Sequence, residues 1–353
     1  MHKVRDDDDN PIAAGAWVAV LAALAFGATT PIIQRFGRST GPFVTAALLY
    51  AGAALASISA PSKRDAPVRR ARLARLLVVA CLGAVLAPAS LAWGLQRTSA
   101  AGASLLLSCE ALFTVILAHL VYGEPLGRRV VLAVLAMTAG SALLVGAGRA
   151  PGAVDWGIGA LAVVVASFGW AADNTLTRPL ADLDPSRVVL WKAGLGAVLS
   201  AVVAALAGEE LPRAWSSVAL VACGAVGYGV SLRLYLLAQR RIGAARTGSI
   251  FSLAPFIGAA AAWGMGDRAA SGVDLAASVL IGVAVALHLT EEHRHMHPHE
   301  ALDHEHAHRH DDGHHTHRHE TPIDGEHSHR HRHEATTHDH PHGVDLHHRH
   351  RHD

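Results

Sequence analysis

The sequence predicts an all-α membrane protein: ten transmembrane helices arranged as two inverted five-helix repeats, followed by a disordered histidine-rich tail. Three observations carry this. The hydrophobic share is 51% over 353 residues although the end of the chain holds almost no apolar side chains, so the rest is richer still. Long uncharged apolar runs recur from Ile12 to Thr290 with charges gathered in short gaps, where a soluble protein would show amphipathic stripes. The third observation is repetition. The stretch TSAAGASLLLSCEALFTVILAHLVYGE, from Thr98 to Glu124, reads as a first copy of IGAARTGSIFSLAPFIGAAAAWGMGD, from Ile242 to Asp267. Superposed, Ser99 falls on Gly243, Ala100 on Ala244, Ser108 on Ser252, Glu110 on Ala254 and Ala111 on Pro255.

Taken in order, the spans run over about 12–36, 41–60, 73–96, 98–122, 127–148, 156–178, 187–207, 214–239, 243–266 and 270–290, each near the 20 residues that cross a bilayer. These give a cytoplasmic N-terminus (1–11), a first repeat (12–148), a second repeat (156–290) and the tail (291–353). Phe26 and Gly27 of the first span match Phe168 and Gly169 of the sixth, which extends the repeat beyond its central copy. Five spans per repeat is odd, so the second copy enters the membrane upside down, an arrangement typical of secondary transporters with midplane sites.

Orientation follows from lysine and arginine. With the N-terminus inside, the cytoplasmic connections hold Lys63 to Arg72, Arg128 and Arg129, Arg178 and Arg187, and Arg240 and Arg241. The outer connections keep Arg35 and Arg38, then single arginines at 97, 149, 213 and 268. The bias places both termini in the cytoplasm of a bacterial inner membrane. No cleavable signal peptide is expected, since the start is acidic and the first apolar run is too long for one. Cys81, Cys109 and Cys223 all lie in apolar runs without metal-site spacing and read as small buried hydrophobes. Pro31, Pro88 and Pro255 lie inside spans, where each removes a backbone hydrogen bond and bends the helix. Glycine and alanine throughout the spans let backbones approach in lipid. Dimerisation through such small-residue faces is left open.

The ten spans in two copies, with SAAGASLLLSCEALFTVILAHLVYGE closing the first half and GAARTGSIFSLAPFIGAAAAWGMGD the second, resemble the EamA family of the drug/metabolite transporter superfamily. The similarity covers about residues 12–290 and implies a ten-helix inverted-repeat fold and transport, commonly export, of small organic solutes. Ala111 stands where the family usually has proline after the acid, and Asp267 where its second copy usually has glutamate.

Polar residues inside spans are costly, about 3 kcal/mol for a central acid on insertion scales, so they face the bundle interior and mark transport paths. Glu110, at mid-span, is a carboxyl able to bind and release a proton during a cycle. Asp173 and Asn174 lie in the inner half of the sixth span, with Lys192 and Arg233 at similar depth on the seventh and eighth. Asp173 is expected to pair with Arg233 or Lys192 in one state; snorkelling of both bases to the headgroups is the alternative. Trp170, one turn from Asp173 on the same face, joins the candidate pathway. His119 lies two and a half turns from Glu110 and points the other way, as a packing or interfacial histidine. Trp17, Trp93 and Trp263 read as packing residues or interfacial anchors.

After Thr290 the composition changes to alternating His-x-His broken by Asp, Glu and Arg, and all histidines but His2, His119 and His288 are there. So few apolar residues cannot offset the entropy of ordering, and disorder is expected. His304, His306, His308, His310, His314, His315, His317, His319, His327, His329, His331 and His333 are the candidate metal ligands. A flexible run can gather several imidazoles around a divalent transition metal, with little specificity. The same tail would become strongly positive on acidification and drawn to anionic lipid.

The expected function is a secondary active transporter of a small organic metabolite, export being the expected direction, with the tail as a metal- or pH-responsive regulator. No cofactor is required. The partners are the lipid bilayer, a small-molecule substrate and transition metals at the tail, with no nucleic acid. A divalent Zn, Ni, Co or Cu exporter loaded by the tail is the alternative, and a non-transporting membrane-bound metal-binding module the second. The spans hold no histidine or thiolate cluster, which favours the first. Without a nucleophile-base constellation, P-loop or nucleotide fingerprint no enzyme is expected, and a gradient must drive transport.

Overall fold

The structure is a computed structural model. It describes residues 11–58, 70–123, 127–147, 154–177, 185–242, 244–267, 270–289 and, in the tail, 294–299, 303–308, 327–332 and 336–341. The chain divides into two units, Met1–Glu291 and Glu292–Asp353.

Among its described residues the first unit is all-helical. The first half contains α1 (Pro11–Gly27), α2 (Thr29–Gly37), α3 (Pro42–Ile58), α4 (Arg70–Ala80), α5 (Ala87–Leu95), α6 (Ala100–Leu106), α7 (Cys109–Tyr122) and α8 (Arg128–Ala147). The second contains α9 (Val154–Thr177), α10 (Pro185–Leu206), α11 (Ala214–Gly224), α12 (Ser231–Ile242), α13 (Ala244–Phe251), α14 (Ala254–Gly264) and α15 (Gly272–Leu289). A π-helical turn, Cys81–Leu86, joins α4 to α5, and another, Ala225–Val230, joins α11 to α12.

By length and hydropathy, six stretches among the described residues can cross a membrane: Ala14–Gly37, Ala74–Leu95, Ala100–Tyr122, Gly157–Thr177, Arg187–Leu206 and Ala214–Gln239. Pro42–Ile58 and Gly272–Leu287 are shorter apolar helices. Leu21, Leu24, Leu132, Leu135, Val198, Val202, Leu275 and Val279 are exposed on the helices, where lipid covers them. Cys81 is exposed too, while Cys109 and Cys223 are buried, which corrects the expectation that all three cysteines pack inside. An apolar run in lipid has an outward face as well as an inward one, and the run alone does not say which face a residue takes.

The halves interleave. α1 packs on α12 and α5 on α9, while α3 meets α10, α8 meets α15 and α6 meets α14. Exchanging the halves swaps the first two pairings and returns α3–α10 and α8–α15 to themselves, while α6–α14 is made by one half only. The repeat step is 144 residues: Cys81 to Ala225 at the two π-turns equals Ser108 to Ser252 at the two helix breaks. The same step relates close contacts. Gly15 meets Arg241 and Ile242, as Gly159 meets Arg97 and Thr98; Gly83 meets Asp173, as Gly227 meets Thr29. Phe26 is therefore the counterpart of Trp170, not of Phe168, and the sequence match of Phe26–Gly27 with Phe168–Gly169 is two residues out of register. In spans built from few residue types, a two-residue slip still aligns like with like.

Backbone proximity holds the bundle together. A methyl group on Gly52 would run into the Val221 carbonyl and the Ala225 amide, and one on Gly224 into the Leu49 carbonyl, so α3 and α11 touch main chain to main chain. The prolines follow breaks in the helices. Pro88 opens α5 just after the π-turn, and the Ala84 carbonyl four residues before it accepts from Ser200 Oγ at 3.4 Å. One end of the bundle is cross-tied. Gln34 Nε2 donates to the Leu95 and Thr98 carbonyls at 3.1 and 2.7 Å, and Gln96 Nε2 to the Thr40 carbonyl at 2.8 Å. Glu209 accepts from Val44 N at 2.8 Å and Asp267 from Ala101 N at 2.9 Å, so acids cap the starts of α3 and α6.

In the second unit, β1 (Arg294–His299) pairs antiparallel with β4 (Thr336–Pro341), and β2 (Asp303–His308) with β3 (His327–Arg332). Both ladders keep one register, Arg294 facing Pro341 and Asp303 facing Arg332. Where the sequence predicts disorder, these four stretches are extended and paired. His-x-His alternation has the period of a strand, a pattern that an argument from low apolar content ignores.

Replacing Gly52 by Val should lower the apparent melting temperature of the purified protein in detergent by about 5 °C or more, because backbone cannot yield as a side chain can. Gly194→Val, where a methyl meets nothing within 4 Å, should leave it unchanged.

Candidate functional site

The spans bearing the central repeat are both interrupted. α6 ends at Leu106 and α7 begins at Cys109, with Leu107 and Ser108 in the turn; α13 and α14 are parted by Ser252 and Leu253. The interruption sets Glu110 in the first turn of a half-helix, whose free amides and dipole favour an anion there. Glu110 Oε1 accepts from Asn174 Nδ2 at 2.7 Å.

The residue beside Asn174 on α9, Asp173, is buried and ion-paired with Lys192 of α10. Thr177 Oγ1 donates to its other oxygen at 3.1 Å. The carboxylate lies against Gly83, where any side chain would displace it. The Gly83 carbonyl, in the first π-turn, accepts from Tyr50 OH at 2.5 Å and from Trp170 Nε1 at 2.9 Å. π-Turns release carbonyls from the helical ladder and recur at functional sites.

Glu110 also lines a cavity of about 330 Å³. Its walls are mostly apolar, with Phe26, Met137, Tyr235 and Phe251 the largest, and Ser108 and Ser252 the hydroxyls at the helix breaks. Val130 and Val134 in the first half of α8, Tyr235 toward the end of the apolar stretch Ala214–Gln239, Gly248 in α13 ahead of the break at Ser252, and Val285 toward the end of α15 place it in the half of the bundle away from the cross-tied end. Aromatic rings lead from the cavity to the ion pair: Phe26 is 5.6 Å from Phe251 and 5.7 Å from Tyr228, and Tyr228 is 6.2 Å from Trp170.

The EamA-like transporter family matches residues 13–146 and again residues 157–290. The chain belongs to that family. A relative from Methanothermobacter thermautotrophicus, described as an uncharacterized transporter, is 26% identical over 272 residues, spanning 73% of this chain and 72% of the relative. A solved crystal structure shares the fold at a TM-score of 0.56 and 21% identity, covering 78% of this chain and 95% of that one. This EamA protein is therefore a multi-pass membrane transporter of small solutes.

Of the residues singled out from sequence, the EamA fold brings Glu110, Asn174, Asp173 and Lys192 together, with Trp170 one hydrogen bond away through Gly83. Lys192, rather than Arg233, is the partner of Asp173; Arg233 is exposed on α12. His119 is exposed, Trp17 is 68% exposed, and the Arg97 guanidinium stacks on Trp93 at 3.7 Å. Among the described residues, no group of three or more His, Cys, Asp or Glu side chains is placed to hold a metal. In the tail, His304, His306 and His308 lie on β2 and His327, His329 and His331 on β3, while His310, His314, His315, His317, His319 and His333 lie outside the described residues. Tyr50, Gly83, Tyr228 and the cavity aromatics had no signal beyond hydrophobicity, because a π-turn has no side-chain periodicity to betray it.

Neutralising one member of the buried pair leaves the other charged and alone, at a cost of about 3–5 kcal/mol. Asp173→Asn and Lys192→Met should each lower thermal stability clearly, and the double variant should recover most of the loss in the same melting experiment.

Proposed function

We propose that this EamA protein is a gradient-driven secondary transporter that exports a small organic metabolite, with the cavity beside Glu110 as its binding site. The observation that carries the reading is the position of that cavity. Given ten spans in two inverted repeats and termini in the cytoplasm of a bacterial inner membrane, the cavity lies in the cytoplasmic half, and the end tied by Gln34, Gln96, Glu209 and Asp267 lies outside. A site loaded from inside behind a closed outer end is what an exporter needs.

The side chains then have distinct parts. Glu110 meets the substrate or a proton at the head of α7. Asn174 orients it, and the Asp173–Lys192 pair behind them holds α9 against α10 and, through Gly83, against the first π-turn. The two π-turns, equivalent by the repeat step, give each half a point where the helix can change its winding as the outer ties open. The tail is a regulator in this scheme, its histidines binding divalent transition metal or sensing acidification.

Cells expressing the full chain should raise one organic solute in the medium at the expense of the interior, read by mass spectrometry of both compartments. Glu110→Gln should abolish this at least tenfold. Truncation after Glu292 should keep export and remove its response to added zinc, nickel, cobalt or copper. A fall in cellular content of one of these metals that both changes abolish would overturn the organic-solute reading.

A further inference from the structure

The chemistry of the cavity wall narrows the substrate. Among the described lining residues there is one carboxylate, Glu110, and no lysine, arginine or histidine. Lys192 of α10 is held by Asp173 and is not among the described residues lining the cavity. A charge brought into this space therefore meets a single fixed partner of negative sign.

The remaining polar and aromatic groups agree with that sign. Asn174 takes Oε1 of Glu110, so the carboxylate is held in place by one bond while its second oxygen needs another donor. Ser108 Oγ, buried at the helix break two residues before Glu110, has no hydrogen-bond partner among the described residues. An ammonium group carries several donors and can serve both. Phe26, Phe251 and Tyr235 line the same cavity, Phe251 lying 5.6 Å from Phe26 and 5.0 Å from Tyr235, and ring faces attract cations. Apart from the Thr114 and Ser252 hydroxyls, the rest of the wall is aliphatic, Met137 included, and suits an uncharged body.

We propose that the cavity binds small organic monocations: a protonated amine with an apolar or aromatic body. The inference rests on taking the cavity as the substrate site. An anion would face Glu110 with no base among the described lining residues to receive it. A zwitterion would satisfy its ammonium and strand its carboxylate, which in an apolar wall costs most of what the ammonium gains. A bare metal ion would find one carboxylate where it needs several ligands. The side chain of Arg246 lies outside the described ones, and the anionic and zwitterionic probes below report any base it brings.

The test uses four probes with one phenyl body and different charge, bound to the purified full chain in lipid nanodiscs: 2-phenylethylamine, phenylalanine, 3-phenylpropionate and 2-phenylethanol. The amine should bind at least tenfold more tightly than the alcohol, and the acid and amino acid more weakly than the alcohol. Glu110→Gln should erase the preference for the amine and leave the affinity for the alcohol within about twofold, since only the charge contact is lost. Equal affinities for all four, tighter binding of the acid or amino acid, or binding of none overturns the inference. Met137→Trp separates this from failure of the cavity as the site: if it abolishes binding of whichever probe does bind while the melting temperature holds, the site stands and only the substrate class falls. Binding insensitive to both changes overturns both.

Discussion

The Gly83 carbonyl is the point on which the bundle closes. A π-turn takes it off the helical ladder, and in lipid no water replaces the lost partner, so the protein must. Tyr50 and Trp170 donate to it from α3 and α9. Because residue 83 has no side chain, Asp173 can lie against it, and Asp173 in turn holds Lys192 of α10. Two spans from each half are thus fixed around one glycine. The polar groups of the site are the same groups that satisfy a buried backbone.

Repetition supplies the frame and divergence supplies the chemistry. Gly83 against Asp173 in one half is answered by Gly227 against Thr29 in the other, with the same close approach and no charge. Glu110 is answered by Ala254, and Trp170 by Phe26. Each π-turn and each helix break recurs, yet the acid, the ion pair and the indole donor belong to one side only. A nearly symmetric scaffold carries an asymmetric site, so that the cavity has Glu110 as its one described charged lining residue beside Phe26, Tyr235 and Phe251.

The two ends of the bundle differ in kind. One is tied by side-chain amides and carboxylates that reach backbone groups at helix termini: Gln34, Gln96, Glu209 and Asp267. Asp267, the acid that closes the second copy of the repeat, reaches the amide of Ala101 at 2.9 Å. These ties satisfy groups that a helix end always leaves open, and they are exchangeable with water. The other end holds the cavity and its apolar walls, and there Tyr122 of α7 donates to the Thr175 carbonyl of α9 at 2.8 Å.

Several features were legible in the sequence because lipid makes them so. Spans must be apolar and helical, so they show in composition, and the repeat shows as spacing. Glu110, Asp173, Asn174 and Lys192 stood out because a charged or amide group in an apolar run is costly and seldom without purpose. What the sequence left open was partnership: two bases lay at equal depth from Asp173, and rotation of α10 and α12 about their axes, set by glycine contacts between helices, turned Lys192 inward and Arg233 out. The same rotations put Cys81 on the outer face and showed that Phe26 corresponds to Trp170. Depth in the membrane is a one-dimensional property that sequence determines by itself. Which neighbour a side chain meets depends on the angle of one helix against another, and only the packed tertiary structure decides that.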